Sequence, residues 1–266
     1  MSVRPHADDL GLHPSVDRAI FRAFEAGAIA GASILVTGPT FRQAARQARA
    51  LGLPLGLHLA IVDTAPLSPP GEVPSLVGPD GRFPPYLGSV VRRSLLGGLR
   101  PDELRREVSR QLAAFAEADL IGPEGLLLDG HQHLHLLPPV FDAVLGLAAD
   151  FRLSAFRLPL RSPHERRQRT LRAVGFTLAE RAGRRAQAAA ARHGIAAVPC
   201  WGVVYAGHLT LEAARRVLRS LPPHSDGQLI CHPGDDDRAL AAERPWGYAW
   251  ETELATVLAL AEPATG

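Results

Sequence analysis

Six short apolar runs alternate with longer segments of helical period, and this rhythm constrains the fold more than any other feature of the chain. Residues 32–37, 55–60, 125–129, 155–158, 196–200 and 228–232 read as buried strands. Residues 14–27, 40–51, 101–117, 138–150, 165–192, 210–220 and 249–261 read as the helices between them. Repeated βα units of this kind build a parallel sheet covered by helices. Pro14 and Pro101 stand where a first-turn proline is tolerated, and Asp102 and Glu103 put negative charge at a helix start. A chain of 266 residues suits one α/β domain, barrel or open sheet, with no linker and no internal repeat. The segment 262–266 reads as a frayed tail.

Residues 61–100 interrupt the rhythm with a proline- and glycine-rich insertion, too long for an ordinary connection. Such a loop serves more often as a lid or substrate wall than as a passive link.

Composition removes several classes. Hydrophobic residues at 46% and charged residues at 21% exclude disordered and fibrous chains. All 29 basic residues are arginine, and formal net charge is only +2, so nucleic acid is not an expected partner. The clusters Arg166-Arg167-Gln168-Arg169 and Arg181 to Arg185 read first as solvated helix faces, with phosphates or anionic lipid headgroups as the alternative. Peripheral contact with a membrane and self-association into a homodimer therefore stay open. Cys200 and Cys231 make no disulfide framework and no Cys-x-x-Cys zinc site. With no signal-peptide core and no apolar run of about 18 residues, a cytoplasmic protein is expected.

Polar residues gather at the strand ends. Asp8 and Asp9 follow the first strand, His58 lies near the end of 55–60, and Asp129 and His131 open the stretch DGHQHLH after Leu128. Arg157 lies in the next strand and His232 closes the last. In a parallel barrel or sheet these positions converge on the carboxyl-terminal edge, where active sites of such folds sit. Asp9, His58 and His131 then offer one carboxylate and two imidazoles to one divalent metal ion that keeps positions open for water and substrate. The residues alone do not separate zinc, manganese, cobalt, iron and magnesium as its identity. A lone histidine at a strand end is more often hydrogen-bonded than a ligand, and a cap or turn residue before Leu10–Pro14 is the alternative for Asp8 or Asp9. Of the adjacent pair, one carboxylate is free to bind metal while the other orients or deprotonates a water, with His232 as the complementary acid. His13, His193, His208 and His224 read as structural or solvated. No nucleophile elbow, phosphate loop or dinucleotide fingerprint is present.

Four ordered blocks, Ala7-Asp-Asp-Leu-Gly-Leu12, Gly56-Leu-His-Leu59, Asp129-Gly-His-Gln-His-Leu-His135 and Cys231-His-Pro233, resemble the YdjC-like carbohydrate deacetylases over about residues 6–235. The resemblance implies an irregular TIM-like (β/α) barrel, one domain over residues 1–266. It implies a metal-dependent hydrolase in which a metal-activated water removes acetyl from an N-acetylated amino sugar. Asp9, His58 and His131 become metal ligands, Asp8 the general base, His232 the general acid, and His133 and Arg157 residues that shape or polarise the substrate pocket. Residues 61–66, 73–76 and 81–83 look most like the hopanoid-biosynthesis-associated branch, which implies an N-acetylglucosaminyl glycan or a hopanoid glycolipid as substrate. Hydrolysis of another bond, such as a phosphoester, and a catalytically silent sugar- or lipid-binding barrel are the alternatives. The chain departs from the family at Leu10, where phenylalanine is usual, and at Ser2 to His6, where polar residues and Pro5 predict a weak first strand.

Overall fold

In the computed structural model, which describes residues 2–262, seven parallel strands close into a barrel. They are β1 (Ser2–Leu10), β2 (Gly31–Ile34), β3 (Leu55–Leu59), β4 (Leu126–Gly130), β5 (Leu153–Pro159), β6 (Ala196–Trp201) and β7 (Asp226–Cys231). Each pairs with the next, and β7 returns to β1 with Ser2 opposite Asp226 and Ala7 opposite Cys231. The barrel alternative is thus the realised one. The part of the expected tail after Glu262 lies outside the described residues.

Nine helices surround the barrel: α1 (Pro14–Glu25), α2 (Phe41–Leu51), α3 (Leu87–Leu95), α4 (Pro101–Glu117), α5 (Pro138–Leu145), α6 (Leu171–Ala191), α7 (Leu211–Ser220), α8 (Asp237–Glu243) and α9 (Trp250–Ala261), counted among the described residues. Side-chain caps set several starts. His13 Nδ1 accepts from Ser15 N before α1, and Thr210 accepts from Ala213 N before α7. The structural reading of His13 holds. Expected helix 165–192 starts later, at Leu171, after a separate 3-10 turn at Glu165–Arg167.

β1 is longer than its sequence suggests. Pro5 Cα is paired with Leu229, and its carbonyl accepts from Ala30 N, just before β2 begins. The proline nitrogen faces the same side, where the first paired residue is His6 against Gly31, so the absent N–H removes no ladder bond. The expectation of a weak first strand gives way to a nine-residue strand paired with β7 from Ser2 to Ala7.

Outward-facing Leu57, Leu126, Leu128 and Phe156 pack under the helices. The barrel interior is polar instead: His6, Ser33, Asp129, Arg157 and Gln228 from five strands hydrogen-bond to one another.

The insertion is tied down. Glu107 carboxylate oxygens accept from Leu67 N and Ser68 N, Glu103 accepts from Ser75 N, and Gln111 bonds both N and O of Ala60. These buried α4 side chains satisfy backbone groups that no sheet partner reaches. Val73, Leu76, Phe83 and Val90 join the core. The insertion also contains α3, which its proline content conceals in sequence. No described helix is long and apolar enough to cross a membrane, and Cys200 and Cys231 are free and buried.

Candidate active site

A bulge brings both neighbouring carboxylates into the barrel mouth. Between Ala7 opposite Ala32 and Leu10 opposite Ile34, β1 has one residue more than β2, and Asp9 adopts φ 71. Consecutive residues of a regular strand face opposite sides. The extra residue re-aims Asp9, and Asp8 and Asp9 are both buried. A left-handed non-glycine residue costs of order 1 kcal/mol and persists where its surroundings over-determine it. Gly38 packs so closely on Gly11 here that a Cβ on Gly38 would meet the Gly11 carbonyl oxygen at 2.0 Å.

Asp9 Oδ1 lies 3.0 Å from His131 Nδ1 and 3.3 Å from His58 Nε2. Neither approach has hydrogen-bond geometry, and both Asp9 oxygens and His131 Nε2 are buried without partners. One ligand atom from each of Asp9, His58 and His131 falls within 4.8 Å of the others. Three buried donors aimed at one another rather than at hydrogens fit a divalent cation with O/N ligands. The field agrees. Burial alone would lower the His58 imidazole, but Asp129 and Asp8 raise it to about 10, so the surrounding carboxylates favour positive charge at this point. Burial would raise the Asp9 carboxyl, yet His131 and His58 hold it well below the usual range.

Asp129, from β4, orients His58. Its Oδ1 lies 2.6 Å from His58 Nδ1, and its Oδ2 lies 2.6 Å from Arg157 and accepts from Ser33 Oγ at 2.5 Å. This is the carboxylate–histidine pairing that fixes which imidazole nitrogen faces a metal. The Gln132 and His133 backbones both turn left-handed, φ 53 and φ 57, and carry the chain away after His131.

A cavity of about 340 Å³ opens above these residues. Asp8, His58, His131, His133 and His232 line it, with Leu87 of the insertion, Phe176 of α6 and Tyr248. Asp8 turns Oδ2 to Arg157 at 2.6 Å and keeps Oδ1 unbonded. Burial opposes its ionisation, but Arg157 and His58 lower its carboxyl below the ordinary value. His232 follows β7; its N donates to Glu253 Oε2, its Nδ1 lies 3.6 Å from that oxygen, and its Nε2 lies 3.9 Å from Asp8 Oδ2. Burial would lower the His232 imidazole, and Glu253 more than offsets it, so the net shift is upward. Burial, with His135 and Arg157 adding to it, keeps His133 neutral, its pKa lowered to about 3.

Asp8, His58, His131, His133 and His232 thus meet around one cavity, with Asp9 directly behind His58 and His131. Arg157 does not line it. Fully buried, its guanidinium is committed to Asp8, Asp129, Gln228 and Ser33, so it bears on the pocket through Asp8 and Asp129. His135 turns into the wall, with Nε2 3.0 Å from the Arg157 carbonyl oxygen. Glu253 and the polar interior carry no sequence signal. Trp246-Gly-Tyr248-Ala-Trp250 does: three aromatics in five residues form a wall, Trp246 5.3 Å from the His131 ring and Tyr248 5.4 Å from the His232 ring between centroids.

The family model described as YdjC-like protein matches residues 5–261. The chain belongs to the YdjC-like family. A carbohydrate deacetylase from Homo sapiens is 33% identical over 241 residues, 86% of this chain and 73% of its own length. A chitooligosaccharide deacetylase from Serratia marcescens is 33% identical over 165 residues, 62% of this chain and 60% of its own length. A solved structure from Enterococcus faecalis V583 shares the fold at TM-score 0.71, covering 97% of this chain and 90% of its own, with 20% identity.

Proposed function

We propose that this YdjC-like protein is a metal-dependent N-deacetylase of an N-acetylated amino sugar. The convergence of Asp9, His58 and His131 beside the unbonded Oδ1 of Asp8 is the observation that carries this reading. The names of its relatives, carbohydrate deacetylase and chitooligosaccharide deacetylase, support the same reaction. Magnesium or zinc, held by those three ligands, supplies Lewis-acid polarisation of an amide carbonyl and lowers the pKa of a water.

The chain's own groups do the rest. Arg157 fixes Asp8 Oδ2, so Oδ1 faces the cavity as an ionised base that accepts the proton of the attacking water. Asp129 holds the His58 ring in place. His232, backed by Glu253, is the acid that protonates the departing amine nitrogen, giving free amine and acetate. Neutral His133 hydrogen-bonds sugar hydroxyls, and Tyr248 gives the cavity an aromatic face suited to a sugar ring.

The apolar part of the lining favours a narrower substrate. Leu87, Phe176, Ala179 and Ile230 offer nothing to hydroxyl groups. They suit an acetylated sugar carrying an apolar aglycone, for which the N-acetylglucosaminyl hopanoid implied by the sequence resemblance is a case.

The test is acetate release from N-acetylchitooligosaccharide and from an N-acetylglucosaminyl lipid, before chelation, after it, and after metal is restored. Release that follows the metal supports the reading. Binding without release leaves a silent sugar-binding barrel, and hydrolysis of p-nitrophenyl phosphate instead leaves a phosphoesterase.

A further inference from the structure

Six large apolar side chains are strongly exposed among the described residues, and they occupy two segments. Tyr86, Leu87, Leu95 and Leu96 belong to α3 and its flanks; Val174 and Leu178 belong to α6. Both segments border the cavity, through Leu87 on one side and Phe176 and Ala179 on the other. Scattered apolar side chains are ordinary on a surface, whereas a set gathered around one opening marks a contact region.

Charge gathers in the same segments. Residues 81–100 and 166–192 contain twelve arginines and one carboxylate, Glu180; the other parts of the chain hold seventeen arginines and twenty-six carboxylates. The overall net charge of +2 therefore conceals two basic segments in an otherwise acidic chain. Arg92, Arg167, Arg169, Arg181 and Arg185 are exposed and join no ion pair among the described residues. On α6, positions 174, 178, 181 and 185 share one exposed stripe, apolar beside the cavity and cationic further along. Apolar tips inserted to the acyl boundary, with arginines at headgroup level, are the pattern of an interfacial surface.

We propose that this rim docks the protein on an anionic bilayer with the cavity opening toward the lipid, which on the deacetylase reading above admits an acetylated sugar still attached to its anchor. Charge selects this occupant over a second copy of the chain. A two-fold pairing would set the same patch against itself and bring unpaired arginines together, while anionic lipid neutralises them.

Co-sedimentation with vesicles of phosphatidylglycerol and phosphatidylcholine, against phosphatidylcholine alone, tests the rim. The anionic vesicles are expected to retain the protein, and salt to release it. Arg181→Gln/Arg185→Gln is expected to weaken binding roughly thirtyfold, and Leu95→Ser/Leu96→Ser at least about tenfold. None of these residues lines the cavity, so acetate release from soluble N-acetylchitooligosaccharide should be unchanged. Absent binding to anionic vesicles at low salt, or equal binding by parent and variants, overturns the proposal. A dimer in light scattering that Leu95→Ser/Leu96→Ser splits overturns it too, by assigning the apolar rim to a second copy. Vesicle binding without acetate release would instead defeat the deacetylase reading and leave the docking surface standing.

Discussion

Asp129 Oδ1 sits 2.6 Å from Nδ1 of His58, and that contact leaves Nε2 of the same ring pointed at Asp9. A carboxylate only accepts, so it holds the proton on Nδ1 and the lone pair on Nε2. In Asp129→Asn the amide is able to donate to Nδ1 and move the proton to Nε2, where it opposes a cation. Metal affinity is expected to fall about 10–100-fold, the usual loss for such a partner. Titration with zinc, read by competition with a chromophoric chelator, measures it. Unchanged affinity would remove Asp129 from the metal centre.

Asp8 and Asp9 are neighbours with separable tasks. His131→Ala removes a ligand and should abolish stoichiometric metal, with the circular dichroism of the fold retained. Asp8→Asn should keep the metal and lower kcat by about 10²–10⁴-fold, the usual contribution of a positioned base. Retained metal in the first variant, or normal turnover in the second, would reverse the assignment of that residue.

Much of this centre was legible because its proposed ligands sit at strand ends, and strand ends are where period and polarity change together. His58 lies in, and His131 directly follows, runs whose apolar character identified β3 and β4, while Asp9 lies near the end of β1. The bulge was not legible. It depends on pairing register between β1 and β2, which no local pattern encodes. The partners of Arg157 were hidden for a related reason: a charged residue inside a strand shows nothing of its buried partners, which β1, β2, β4 and β7 supply. Glu253 was invisible because its partners His232 and Leu209 lie far from it in sequence. α3 and α8, short and set among prolines or acidic turns, left too few periods to recognise.

Glu180 on α6 collects Arg161 at 3.5 Å, Arg184 at 3.3 Å and a short contact with Arg166. Burial opposes its ionisation, but the arginines lower its carboxyl net below the ordinary value. A depressed folded pKa contributes stability above the unfolded value and loses it as pH falls through the folded one. Glu180→Gln should therefore cost up to about 1 kcal/mol at neutral pH, solvent screening included. The gap to the parent should start to narrow as pH falls through the ordinary carboxyl value, about 4.3, and close only as the folded carboxylate protonates below it. Urea midpoints at pH 7 and pH 3.5 compare them, and a gap that does not narrow with acid would assign the loss to packing.

Gly207 makes room for the aromatic wall. Its φ is 81, and a Cβ there would meet the Tyr248 ring at 2.2 Å, while its carbonyl accepts from Ala249 N at 2.8 Å. Gly207→Ala imposes a left-handed alanine, about 1 kcal/mol of strain, and forces Tyr248 off its present position. Tyr248 packs against His232 and lines the cavity but holds none of the proposed metal ligands. The variant should keep its metal and raise KM for the acetylated sugar several-fold, about 1 kcal/mol of lost contact, with a smaller change in kcat. An unchanged KM would mean that Tyr248 does not bear on the sugar, and a loss of kcat alone would mean that the ring acts through His232.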